Sequence, residues 1–295
     1  MPDARRCAPL GAALLVALSS ATRAGATPPG PPRLTVTATA AGLSVPATAP
    51  AGTLIISLAN HAGRVVNAQL LAVLQNHTAE EAIAALTTAG RRPEWVVAAG
   101  GVGPLASGRT AAVEQRLPVG EYVLLSTLAD SDGVAQYRRG FIAGFRTEGP
   151  VIVNERAAYV DAMATLSVGA AFRFQRVAMS DGRRFELYGR QRGTAVTPGE
   201  RVIEVTTGGA FAHEIQVIKM DETGLPRAWA DWLAGGQRGP APAVAVGGAG
   251  VVPQGRMLWL RVNVEPGTYW LLCTIPHREG QRGFQTGEYA QFVVR

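Results

Sequence analysis

Cysteine and histidine are scarce in this chain, with two cysteines and four histidines among 295 residues. Cys7 falls within an N-terminal leader, which leaves Cys273 with no partner for an intrachain disulfide and excludes a disulfide-stapled framework. A lone thiol in an oxidising compartment is buried, bound to metal or bound to another chain, and burial is the ordinary case. Dense basic clusters are also missing. The formal charge is +6, and without Arg5, Arg6, Arg23 and Asp3 it becomes (28 − 3) − (22 − 1) = +4. A nucleic-acid surface needs concentrated charge interleaved with aromatic stacking positions, and neither occurs. Beyond the leader no apolar run approaches the roughly 20 residues that cross a bilayer. No Ser/His/Asp arrangement or carboxylate pair suggests hydrolysis.

The leader itself is recognisable. Arg5 and Arg6 precede the apolar run Pro9-Leu-Gly-Ala-Ala-Leu-Leu-Val-Ala-Leu18, and small residues lead to Ala24-Gly25-Ala26. Charge, a short apolar stretch and an A-x-A site in that order predict a secretory signal over residues 1–26. The rival is a single-pass anchor, for which the run is short. Cys7 precedes the run and is poorly placed for lipidation. The expected location is therefore periplasmic or secreted, with no membrane span once the signal is removed. The remaining 269 residues (295 − 26) favour two domains at about 100–200 residues each.

Those two domains read as a duplication. Leu117-Pro-Val-Gly-Glu-Tyr-Val-Leu-Leu-Ser-Thr127 matches Val264-Glu-Pro-Gly-Thr-Tyr-Trp-Leu-Leu-Cys-Thr274, and Gly120 and Gly267 are 267 − 120 = 147 residues apart. Each copy carries a Gly-Gly pair upstream, at Gly100-Gly101 and Gly247-Gly248. Asn67-Ala-Gln-Leu-Leu aligns with His213-Glu-Ile-Gln-Val at an offset of 146, which requires one single-residue indel. Repeats of this kind decide the architecture.

Local patterns within each copy predict strands. Thr53-Leu-Ile-Ile-Ser-Leu-Ala-Asn60, Arg201-Val-Ile-Glu-Val-Thr206 and Leu258-Trp-Leu-Arg-Val-Asn-Val264 are short and rich in β-branched residues. Pro-Gly, Gly-Gly and Asp-Gly pairs separate them as turns. Each copy also contains one helix pattern. Thr78-Ala-Glu-Glu81 opens the first with a capping box, and Pro226 opens the second, which stops at Gly235-Gly236. The predicted class is all-β: two tandem Greek-key β-sandwiches, each with a short inserted helix. The expected boundaries are 33–147 and 174–295, joined by a linker over 148–173.

The second copy carries the motif with chemistry. Ala212-His213-Glu-Ile-Gln-Val217, Gly267-Thr-Tyr-Trp-Leu-Leu-Cys273-Thr-Ile-Pro276 and Gly287-Glu-Tyr-Ala-Gln-Phe-Val-Val294 follow one another in the order of a cupredoxin copper strand set. Both copies resemble the cupredoxin (blue, type 1 copper) family over roughly 35–147 and 174–295. The resemblance implies a site of two imidazoles, one thiolate and a weak axial ligand such as Met or Gln.

The ligand positions depart from that pattern. In the first copy they hold Asn67, Ser126, Gln136 and Phe141, a set that would not bind copper. The second keeps His213 and Cys273, while alignment through the repeat puts Gly283 at the second histidine and Glu288 at the axial methionine, so both are lost. The spacing Cys273-x3-His277-x3-Gln281 offers a replacement, with His277 and Gln281 completing a candidate copper site with His213 and Cys273. The alternative is a buried free thiol, a hydrogen-bonded His213 and a surface His277. Tandem copies also resemble copper nitrite reductases and multicopper oxidases, but those need further histidines. His61 and His77 lie where no copper cluster would form. Asn76-His77-Thr78 is a formal glycosylation sequon. The expected function is a non-catalytic binding or structural module with no cofactor. The alternative is a type 1 copper electron-transfer protein using one copper ion in the second domain, with a redox or cell-envelope protein as partner.

Overall fold

The computed structural model describes residues 30–88, 91–152, 162–168, 172–178, 184–185, 195–207, 212–221, 223–224, 226–276, 280–286 and 288–295. The expected signal, with Cys7, lies outside the described residues.

The first half contains β1 (Arg33–Thr39), β2 (Gly42–Ser44), β3 (Thr48–Asn60), β4 (Val66–Val73), α1 (Ala79–Thr88), β5 (Val96–Leu105), β6 (Thr110–Leu117), β7 (Gly120–Leu125) and β8 (Ile142–Ile152). Pairings run β2–β1–β3–β6 on one side and β5–β4–β7–β8 on the other, with β1 parallel to β3. The start of β3 also lies parallel to β8, so this strand passes from one sheet to the other. That wiring is a Greek-key sandwich of the cupredoxin-like, all-β class.

The second half contains β9 (Ala162–Val168), β10 (Phe172–Ala178), β11 (Arg184–Phe185), β12 (Ala195–Val196), β13 (Gly199–Thr207), β14 (His213–Lys219), α2 (Pro226–Ala234), β15 (Val244–Val252), β16 (Met257–Val264), β17 (Gly267–Leu272) and β18 (Tyr289–Val294). It repeats the wiring as β10–β9–β13–β16 and β15–β14–β17–β18, with β9 parallel to β13 and β12 parallel to β18. Registers match residue for residue. Gly52 faces Leu117 as Gly199 faces Val264, and Gln69 faces Leu125 as Gln216 faces Leu272, each at an offset of 147 (264 − 117, 272 − 125).

The stretch 148–173 differs from the linker expected of it. β8 continues to Ile152, and β9 and β10 already belong to the second repeat, because β9 pairs with β13 as β1 pairs with β3. The additional length of the second repeat falls between β10 and β12 instead.

Both sheets continue across the seam between the repeats. β5 pairs antiparallel with β15, and β6 with β16. One apolar cluster therefore spans both halves, including Leu58 and Val113 from the first and Leu260 and Val262 from the second. Close approach within each repeat, of β5 to β4 and of β15 to β14, depends on glycine. Gly101 and Gly248 have φ of +93° and +133°, and a Cβ on either would strike a carbonyl of the adjacent strand, Ala68 or Ile215.

The helices occupy equivalent places. Thr78 Oγ1 accepts from Glu81 N (3.1 Å) while Glu81 Oε2 accepts from Thr78 N (2.9 Å), the reciprocal capping box the sequence predicts. Ala79, Ala82 and Leu86 of α1 pack on Leu71 and Leu125, and Trp229 and Leu233 of α2 pack on the counterparts Ile218 and Leu272. Tyr122 and Tyr269 each donate to a backbone carbonyl four residues upstream, at Pro118 and Glu265 (2.9 Å in both), anchoring the turn before β7 and β17.

Candidate metal centre

Three elements of the second repeat deliver one donor each. His213 opens β14, Cys273 follows the last residue of β17, and Glu288 immediately precedes β18. Backbone bonds fix the two later positions together: Cys273 N donates to Glu288 O (3.1 Å), and Glu288 N donates to Gly283 O (2.9 Å). The imidazole, thiol and carboxylate donor atoms all lie within 4.8 Å of one another, and His213 Nδ1 is 3.3 Å from Glu288 Oε2. All three residues are buried, with His213 1% exposed and the others 0%.

Gly283 makes room for this group. A Cβ there would come 2.9 Å from Cys273 Cβ and 3.0 Å from Sγ, and closer still to Glu288 Oε2. The carboxylate thus occupies the volume that a side chain at 283 would need. Burial pushes the Cys273 thiol far above its ordinary pKa, and the nearby Glu214 and Glu288 carboxylates push it further. Without a cation the sulfur is a thiol. A bound metal ion supplies the positive charge that favours thiolate.

The counterpart group in the first repeat is built from hydrogen bonds. Ser126 Oγ lies 2.9 Å from Asn67 Oδ1 and 2.6 Å from Gln136 Oε1. Gln136 Nε2 donates to Val65 O (3.1 Å) and to Asp130 Oδ1 (3.3 Å), and Arg64 holds Asp130 at 2.7 Å. Phe141 is buried at the position of Glu288.

The alignment of Asn67 with His213 is corrected by these contacts. Thr127 N donates to Asn67 Oδ1 (2.9 Å) just as Thr274 N donates to Glu214 Oε1 (3.0 Å), so Asn67 corresponds to Glu214. Val66 faces Leu105 as His213 faces Val252, which makes Val66 the counterpart of His213. The offset is 147 here too (213 − 66), and no indel is needed. Both repeats carry a bulge at this point, where sequence chemistry matched one polar residue to another in the wrong register.

The expected ligands divide as follows. His213 and Cys273 are brought together. His277 lies outside the described residues. Gln281 is exposed, next to the bridge between Pro276 and Arg282, whereas Glu288 stands in the buried group. Spacing alone makes Glu288 a lost methionine, whereas the fold puts its carboxylate beside His213 and Cys273. His77 bonds Glu81 (3.0 Å) and stacks on Trp95 at 3.9 Å, and His61 is exposed.

No family model matches the chain, and no curated protein matches it. Among solved structures it is similar to reduced auracyanin from the photosynthetic bacterium Roseiflexus castenholzii, at 17% identity and a TM-score of 0.29 over 44% of this chain and 94% of that one. A multicopper oxidase is similar at 15% identity and a TM-score of 0.26, covering 89% of this chain and 88% of that one. A copper-containing nitrite reductase from Thermus scotoductus is similar at 13% identity and a TM-score of 0.26, over 89% of this chain and 61% of that one. The fold assignment rests on the strand wiring. No helix among the described residues is long and apolar enough to cross a membrane.

Proposed function

We propose that the chain is an exported, non-catalytic protein of two tandem cupredoxin-like repeats, in which the first is a metal-free scaffold and the second captures one copper ion. The observation that carries this reading is the convergence of His213, Cys273 and Glu288, set against the hydrogen-bonded Ser126–Asn67–Gln136 group at the equivalent place. Imidazole and thiolate suit copper, and copper would supply redox chemistry when bound. His213 and Cys273 would hold it from two strands, with the Glu288 carboxylate as a hard third donor. The surrounding apolar core keeps water from the sulfur.

A second reading, electron transfer, gains support from Asp130. This counterpart of His277 (277 − 147) turns its carboxylate toward Gln136, the counterpart of Gly283. His277, at that place in the repeat, would supply the second imidazole of a type 1 site. The partner would then be a redox or cell-envelope protein.

Loading the purified chain with Cu(II) and recording its absorption tests both. Retained copper that depends on Cys273, with no intense thiolate-to-copper band, supports capture alone. A strong blue band abolished by Cys273→Ser and by His277→Ala supports electron transfer. Failure to retain copper rejects both readings.

A further inference from the structure

Two grooves flank the seam at equivalent positions of the repeats, and their chemistry differs. The first, about 720 Å³, runs between the start of β6 and the end of β16. There Glu265 bridges two cations, Arg109 Nη2 at 3.4 Å and Lys219 Nζ at 3.5 Å, and their charges hold its carboxyl below the usual range. The second, about 590 Å³, runs between the start of β16 and the end of β6. At the offset of 147 its counterparts of Arg109, Glu265 and Lys219 are Arg256, Pro118 and Ala72 (256 − 109, 265 − 118, 219 − 72). The acid and one cation have become apolar, and the arginine remains. Among the described residues no carboxylate lies within ion-pair distance of Arg256.

The walls changed in the same sense. Thr110 of the first groove corresponds to Met257, 41% exposed, and the second groove also carries Val119, 59% exposed. Leu74, 44% exposed, lines the same groove, so three of the five exposed large hydrophobic side chains among the described residues meet there. The fold does not require this, because the equivalent groove is polar. Apolar surface gathered beside a cation that pairs with no described carboxylate costs solubility unless something covers it, and Glu121, which also lines this groove, accepts from Ala79 N (3.2 Å).

We infer that this second groove binds a single-chain carboxylate, its apolar tail along Leu74, Val119 and Met257 and its carboxylate on Arg256. The volume lies in the usual range for small-ligand sites, about 300–1,000 Å³. The guanidinium supplies planar, bidentate recognition of the head group. The inference is independent of any metal in the second repeat.

The test titrates dodecanoate, below its micelle concentration, against the full chain carrying a bound dansyl-undecanoate reporter. Saturable displacement at one site per chain is expected. Arg256→Gln should weaken it about tenfold or more, the loss of one charge-assisted contact. Met257→Thr, which copies the polar groove, should weaken it as well, and Arg109→Gln in the opposite groove should leave it unchanged. Dodecyl maltoside, with the same tail and a neutral head, should compete at least about tenfold less well. Equal competition by the maltoside, equal binding by Arg256→Gln, or no saturable displacement would each overturn the inference.

Discussion

Val113 and Leu260 stand opposite each other across the β6–β16 pairing, and they occupy the same position of the two repeats (260 − 113 = 147). Val102 faces Ala249 across β5–β15 in the same manner (249 − 102 = 147). The two repeats are therefore related by an approximate twofold axis through both seams, an isologous contact within one chain. Because the core is continuous across this axis, the seam contributes to the stability of both halves.

The chief polar contact on the axis joins another equivalent pair. Arg261 Nη2 lies 2.7 Å from Glu114 Oε2, with Glu114 fully buried. Arg261→Ala leaves that carboxylate without its cation and should cost about 3 kcal/mol, the low end for a broken buried pair because Arg261 keeps some contact with water. Guanidinium denaturation measures this. A loss below about 1 kcal/mol, as for a surface pair, would show that the seam does not rely on the contact.

Gly283→Ala probes the fit of the candidate centre. The added methyl meets Cys273 Sγ and the Glu288 carboxylate, so one of them must move. Overpacking of this kind should destabilise the chain by about 1–3 kcal/mol and lower copper retention together. Unchanged retention would mean that Glu288 is not held against the sulfur.

The corrected register can be tested by transplantation. Val66→His with Ser126→Cys, Gln136→Gly and Phe141→Glu should give the first repeat a second copper equivalent. The same set built with Asn67→His in place of Val66→His should not. Retention read by elemental analysis distinguishes the two, and a gain only in the Asn67 set would restore the single-residue indel.

Cys273 reactivity should follow its environment. Burial and the neighbouring carboxylates raise its pKa, so the folded chain favours the neutral thiol. The stability this gives is present below the unfolded-state value of about 8.5 and is lost as pH rises above it. In metal-free protein, reaction with a disulfide reagent at about pH 8 should be slow, and in guanidinium it should be immediate. Fast reaction in the folded state would contradict the packing around the sulfur.

Much of the architecture is legible in the sequence because repeated turn chemistry marks it. Gly120 and Tyr122 recur as Gly267 and Tyr269 since each tyrosine ties down the same turn. The capping box of Thr78 and Glu81 is a local signal and reads directly. Within residues 148–173, β9 is identified by its parallel pairing to β13 and β10 by its pairing to β9, long-range relations that spacing does not carry. Asn67 misled because polar chemistry at a bulge resembles a ligand, while its true counterpart position holds the apolar Val66. Glu288 was placed correctly, but its approach to Cys273 depends on the missing side chain of Gly283, a three-dimensional relation that spacing does not carry.

On the proposed function one repeat holds a metal ion and the other does not. Native mass spectrometry of the copper-loaded mature chain counts the ions directly. One copper per wild-type chain and none in Cys273→Ser is expected. Two copper ions per wild-type chain, none at all, or one that survives Cys273→Ser would contradict it.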